Sequence, residues 1–205
     1  LGSLLVTLLV YALSQQDGAT RVGLMLLAGI AINALAGAGL GYLTFLASDE
    51  QLRSIQFWLL GSLGGARWSA VGLVSAIVAV AVFAGLKLAA PLNAIALGEA
   101  QAALLGVRVE RVKAFAVVVT ALAVGAVTAT TGMIGFVGLV APHCVRLVAG
   151  PDHRVVLPGS ALLGAALVLA ADAVARTAVQ PAELPLGVLT SFVGVPFVLL
   201  LLRHF

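Results

Sequence analysis

Chemistry in this chain has to come from few side chains. Lys and Arg number 11, Asp and Glu 8, His 3 and Cys 1 among 205 residues. Three places gather them or break the apolar background. The first is 91–113, PLNAIALGEAQAALLGVRVERVK, with Glu99 near the start of a helix-prone run and Arg108, Glu110, Arg111 and Lys113 brought together after Gly106. The second is 132–154, GMIGFVGLVAPHCVRLVAGPDHR, with glycines at 132, 135 and 138 ahead of His143, Cys144 and Arg146. The third is Asp172 with Arg176, four apart on one helix face and acid first, the order that favours an ion pair.

The glycine segment resembles a phosphate loop only superficially. No strand is plausible before it and no Gly-Lys-Ser/Thr follows, and neither Lys87 nor Lys113 sits in a Walker A pattern, so ATP binding through a P-loop is excluded. Non-helical backbone within a bilayer is tolerated only where protein or a water-filled cavity covers it. Gly132, Ile134, Gly135, Phe136 and Gly138 are therefore candidates for lining or gating a pathway. A membrane-embedded enzyme would need a convergent His/Asp/Glu cluster, and none is legible, so no catalytic and no metal-binding residue is assigned. An ion-coupled carrier or channel places ionisable groups in mid-membrane. Only Asp172 qualifies, and Arg176 stands beside it to lower the cost of both charges.

The elements that position these residues follow from composition. The chain is 62% hydrophobic and 9% charged, where a soluble domain is nearer half apolar and a quarter charged. This predicts an all-α polytopic membrane protein, in which about 20 apolar residues cross the hydrocarbon. Spans are expected at 1–14, 22–46, 68–87, about 112–131, 156–178 and 186–203, the last kinked at Pro196. Ser48 is expected to cap a short helix reaching about residue 60, with Asp49 and Glu50 in its first turn and Phe57 and Trp58 in an interfacial belt. Gly37 and Gly41 form a GxxxG pair, for which packing within the chain is preferred to a dimer seam. Pro91 should stop the helix before it. A helix-prone run from 99 to 105 should end in a left-handed cap at Gly106, and 107–113 should form a second short helix. Two short helices at a membrane surface cannot span a bilayer and have little apolar surface to fold alone, so the residues leave two readings open: an ordinary cytoplasmic loop with an interfacial helix, or an element that a second protein grips. Pro142 should open a short helix to about 148. Polar turns fall at 15–21, 150–154 and 181–185.

The net charge of +3 does not suggest nucleic acid, and the lone Cys144 cannot form an internal disulfide. The opening LGSLLVTLLVYAL starts in mid-helix with no basic flank, so the beginning of the protein is expected to be missing. Around the turns, one side collects Arg21, Lys87, Arg108, Arg111, Lys113, Arg146, Arg154 and Arg203, and the other Arg53, Arg67 and Arg176. That asymmetry places 91–113 and the C-terminus in the cytoplasm. The alternation closes only if 132–149 returns the chain across the membrane as a broken segment.

Leu97-Gly98-Glu99 followed by Leu105-Gly106-Val107 resembles the cytoplasmic coupling loop of the FecCD family, the permease subunits of ABC importers for iron-siderophores, haem and vitamin B12. The glycine loop with Pro142-His143-x-x-Arg146, then 157–177 and 183–202, continue the resemblance, which covers the whole chain. It implies a single permease domain over 1–205 that supplies what resemble helices 4 to 10 of a ten-helix bundle, in a bacterial inner membrane. It also implies partners: a second permease copy, two ATPase subunits carrying ATP and Mg, and a periplasmic substrate-binding protein. No cofactor is expected on this chain. Leu97, Gly98, Glu99, Ala102, Leu105, Gly106 and Val107 would couple to the ATPase, and Arg176 and Arg53 would dock the binding protein. His143 occurs in the family segment whatever the substrate, so a structural hydrogen bond is expected of it rather than ligation. The stretch 49–68 is most similar to the haem-importing branch, with siderophore and vitamin B12 permeases as the alternatives.

Overall fold

A backbone in hydrocarbon must satisfy its own hydrogen bonds, and a sequence with this few polar residues does so by coiling into helices. A computed structural model describes residues 1–16, 19–178 and 184–202. Its described helices are α1 (Gly2–Leu13), α2 (Val22–Leu46), α3 (Asp49–Leu60), α4 (Trp68–Lys87), α5 (Ala89–Ala96), α6 (Glu99–Leu104), α7 (Val109–Thr131), α8 (Val137–Ala149), α9 (His153–Ala178) and α10 (Leu186–Leu202). Among the described residues four helices, α2, α4, α7 and α9, are long and apolar enough to cross a membrane. The polar turn after α1 adds one small antiparallel ladder, β1 (Gln15–Gln16) with β2 (Ala19–Thr20). Residues 17 and 18 of that turn, the loop at 181–183 and Arg203 lie outside the described residues.

The chain folds as two compact units, Leu1–Ile55 with Val74–Ala126 and Gln56–Leu73 with Val127–Phe205. Their buried apolar positions are mostly small: Ala81, Ala89, Ala102, Ala121, Ala141 and Ala175, with Val10, Val140, Val156 and Leu186. Large side chains such as Phe45, Trp68 and Phe192 point outward. Small residues between helices and bulky ones outside suit a chain whose solvent is lipid, because helices gain by close approach rather than by escaping water.

In the first unit α1 packs on α2. The Ser3 hydroxyl donates to the Ala121 carbonyl of α7 at 3.0 Å. A Cβ on Gly125 would stand 2.6 Å from Ser3, so this approach depends on the glycine. Among the described residues nothing packs on Gly37 or Gly41: nothing lies within 4 Å of a Cβ built on either. Ser48 caps α3 in the reverse sense from that expected. Its own N–H donates to Oε1 of Gln51 at 3.0 Å, one half of a capping box.

Three further boundaries differ from expectation. α4 ends at Lys87, and Pro91 lies in the first turn of α5, where a missing N–H leaves no intrahelical bond unmade. Residues 107–113 are not a separate short helix, because Val109 begins α7 and no breaker interrupts it before Thr131. The two short helices are instead α5 and α6, joined at Gly98. Pro142 is internal to α8, which starts earlier, at Val137, because Phe136 turns left-handed (φ 65°) and its carbonyl accepts the first helical bonds.

In the second unit α8 lies along α9, with Gly159 against Val145 and Gly164 against Val137 and Ala141, and α10 packs on both. Three chain segments are tied backbone to backbone. Ser62 N–H donates to Thr131 O at 2.8 Å, Met133 N–H to Trp58 O at 3.3 Å, and Leu186 N–H to Gly61 O at 3.0 Å. Gly132 sits inside this knot at φ 72°, where a Cβ would collide with the Trp58 carbonyl.

Candidate functional site

In the first unit, the candidate coupling residues form one continuous mount. α5 runs to Ala96, and Gly98 (φ 123°) reverses the chain into α6. α6 is closed by a complete Schellman turn: Gly106 N–H donates to Ala103 O and Val107 N–H to Ala102 O, both at 3.0 Å, with Gly106 left-handed at φ 82°. Ala102, expected among the residues that meet the ATPase, is instead fully buried beneath this turn, where the chain's own packing covers it, while Leu97, Leu104 and Leu105 are 71%, 89% and 68% exposed. One face of α6 is thus anchored, and three leucines stand free around it.

The polar side of this mount was only partly legible. The Lys113 ammonium donates to Glu99 Oε2 at 2.8 Å, to Glu110 Oε1 at 3.1 Å and to the Thr20 carbonyl at 3.1 Å. Thr20 in turn donates its N–H to Glu110 Oε2 at 3.2 Å, and its hydroxyl to the same oxygen. The three-residue spacing of Glu110 and Lys113 is visible in the sequence. Their links to Glu99 and Thr20 depend on the turn at Gly106 and on the β1–β2 ladder, and no local signal announces them.

In the second unit, an apolar groove of about 950 Å³ is lined by Leu59 and Leu60 of α3, Met133, Ile134 and Gly135, and one face of α10 including Ser191, Phe192, Val195 and Pro196. Of the five candidate pathway residues, the structure brings Ile134 and Gly135 to this groove. Gly132 is buried in the backbone knot. Phe136 turns away, packing its Cβ on Gly194 and lining a separate cavity of about 240 Å³ with residues of α8, α9 and α10. Gly138 lies in the first turn of α8. The α10 residues were missed because their contribution depends on which face of a uniformly apolar helix turns inward.

Arg176 Nε donates to Asp172 Oδ2 at 2.8 Å on α9, with the arginine side chain 45% exposed. Arg53 is exposed on α3. Among the described residues the hydrogen bond expected of His143 is not found. Its ring meets Phe197 of α10 edge-on, with centroids 5.9 Å apart and planes at 75°. α10 offers it an aromatic face, and an edge-to-face contact satisfies a ring in an apolar setting. Among the described residues no group of three or more His, Cys, Asp or Glu side chains converges as for a metal ion.

Comparison with known proteins accords with this arrangement. The FecCD transport family matches residues 1–204. The chain is 46% identical over 205 residues to the hemin transport system permease protein HmuU of Yersinia pestis, covering 100% of this chain and 61% of that protein. It is 42% identical over 203 residues to the cobalamin import system permease protein BtuC of Halobacterium salinarum, covering 98% and 54% respectively. A solved structure of a metal-chelate type ABC transporter in an inward-facing conformation superposes with a TM-score of 0.88 at 29% identity, covering 100% of this chain and 64% of that one. The chain thus spans less than two thirds of the length of these relatives. A match along nearly its whole length, on a fold shared with an ABC transporter, establishes its family: the chain belongs to the FecCD transport family.

Proposed function

We propose that this chain is permease material of an ATP-driven importer that moves haem, or another bulky metal chelate, from periplasm to cytoplasm by alternating access. The observation that carries the proposal is α6, a six-residue helix with a buried underside at Ala102 and three projecting leucines, held between two glycine turns. So short a helix gains nothing as a span, and its exposed apolar end suits a cleft on another protein. An ATPase subunit would take Leu97, Gly98, Glu99, Leu105, Gly106 and Val107 there, and would carry ATP and Mg. This chain would contribute no catalytic residue.

A functional unit of two permease copies, two ATPase subunits and a periplasmic binding protein fits this reading. Arg176 and Arg53 would meet acidic groups of the binding protein. The groove beside Ile134 and Gly135 would supply part of an apolar pathway wall, and the two compact units would work as parts of one permease domain. The inner membrane is the setting, with α6 and the C-terminus on the cytoplasmic side. Haem is favoured by residues 49–68 and by the likeness to HmuU. The likeness to a cobalamin permease supports vitamin B12 as the second reading.

Reconstitution tests both. The complete permease, its ATPase and its binding protein in proteoliposomes should accumulate haemin only when ATP is enclosed with the ATPase. Uptake of cyanocobalamin in place of haemin would transfer the assignment to the second reading. Accumulation without ATP would overturn the importer proposal.

A further inference from the structure

We propose that Lys113 is a positioning residue that fixes the pose of α6 against the root of α7 and Thr20 of β2. The inference deepens the coupling assignment of α6 and rests on it for the link to the ATPase. An ammonium has three protons to donate, and Lys113 places them on Glu99, Glu110 and the Thr20 carbonyl, all within 3.1 Å. The side chain is 15% exposed, whereas Glu99 is 51% exposed at the free end of α6. Glu110 is itself held by Thr20 through its other oxygen. A chain of polar links therefore runs from residue 20 through 110 and 113 to the first residue of α6.

A helix of six residues does not hold its own shape or direction. The Schellman turn fixes where α6 ends, but a single turn remains a hinge. The tie from Lys113 to Glu99 grips the opposite end. α6 also packs on α5, and the tie to Lys113 joins it to α7 as well, so a force applied by a partner at the leucines reaches the membrane helix rather than bending the loop.

The test reads the pose of α6 directly. The complete permease with Cys144→Ala carries nitroxide labels at Ala103→Cys on α6 and Leu122→Cys on α7, and pulsed electron resonance gives the distance distribution. With labelled copies diluted by unlabelled ones, so that an assembled permease carries one labelled copy, the parent protein should give one narrow peak. Lys113→Met should broaden it, and Lys113→Arg, which keeps the charge, should restore it. Glu99→Gln weakens the same tie from its exposed end, since the amide oxygen still accepts but carries no charge, and it leaves the ammonium covered, so it should broaden the peak even if Lys113→Met folds poorly. Lys113→Met in the Glu99→Gln background should add little. Titration with labelled ATPase should show affinity falling about tenfold in Lys113→Met, which lies outside the proposed ATPase face, the size of a typical coupling between touching residues. Equal, narrow distributions in parent, Lys113→Met and Glu99→Gln would overturn the proposal, as would an arginine variant as broad as the methionine one. Broadened distributions with no ATPase bound by the parent would instead overturn the coupling assignment and leave the positioning role standing.

Discussion

At Gly106 the backbone stands at φ 82° with both Schellman bonds made. An L side chain in that conformation costs about 1–2 kcal/mol, and a β-branched one is strained further. Gly106→Val should therefore reopen the end of α6 while every span inserts normally. Copurification of the ATPase and uptake should both fall, and a variant that couples like the parent would refute the assignment of this loop. Arg176 poses a different problem, because its guanidinium already meets Asp172 at 2.8 Å. A half-exposed pair of this kind contributes about 0–1 kcal/mol. Arg176→Ala should thus leave thermal stability nearly unchanged and weaken binding-protein association modestly, and Arg176→Glu should weaken it more. Rescue of Arg176→Glu by a Glu→Arg change on the binding protein supports docking, whereas rescue only by Asp172→Asn makes the pair internal. Both features were legible in the sequence, since a glycine cap and an i,i+4 pair are fixed by backbone rules within a few residues. The contact of His143 with Phe197 was not, because it joins positions 54 apart across two packed helices.

Among the elements, the segment between α7 and α8 changes character within five residues. Gly132 is locked, since a Cβ there would strike the carbonyl of Trp58 in a knot of backbone hydrogen bonds. Gly132→Ala should lower stability by about 1–3 kcal/mol, the usual cost of overpacking, seen as an earlier thermal unfolding in detergent. Gly135 is open: nothing lies within 4 Å of an added Cβ, and the groove begins there. Gly135→Leu should leave assembly intact and block uptake. Cysteines at Ile134, Gly135, Ser191 and Val195 should react together with a small polar maleimide, while Val140→Cys, buried in α8, stays unlabelled. Failure of the first four in every nucleotide state would make the groove a packing defect. Helix existence was readable here because uncharged apolar length decides it, and the break at Gly132 was readable from its glycines. The start of α8 was not. It hinges on Phe136 adopting a left-handed turn, which sequence rules assign to glycine or asparagine rather than to a bulky aromatic.

For the whole molecule, the apolar surface and the family membership agree on a membrane protein of the FecCD transport family, and composition alone carried the first of these. What composition could not carry is the partner face, because Leu97, Leu104 and Leu105 are ordinary leucines until the fold leaves them uncovered. The most direct test places a photoreactive phenylalanine analogue at Leu104 in the complete permease, with Leu122, exposed on the membrane helix α7, as the control. Illumination of the assembled, transporting complex should crosslink Leu104 to the ATPase subunit and Leu122 to no ATPase. A complex that transports at the parental rate yet yields no ATPase crosslink from Leu104 would contradict the account.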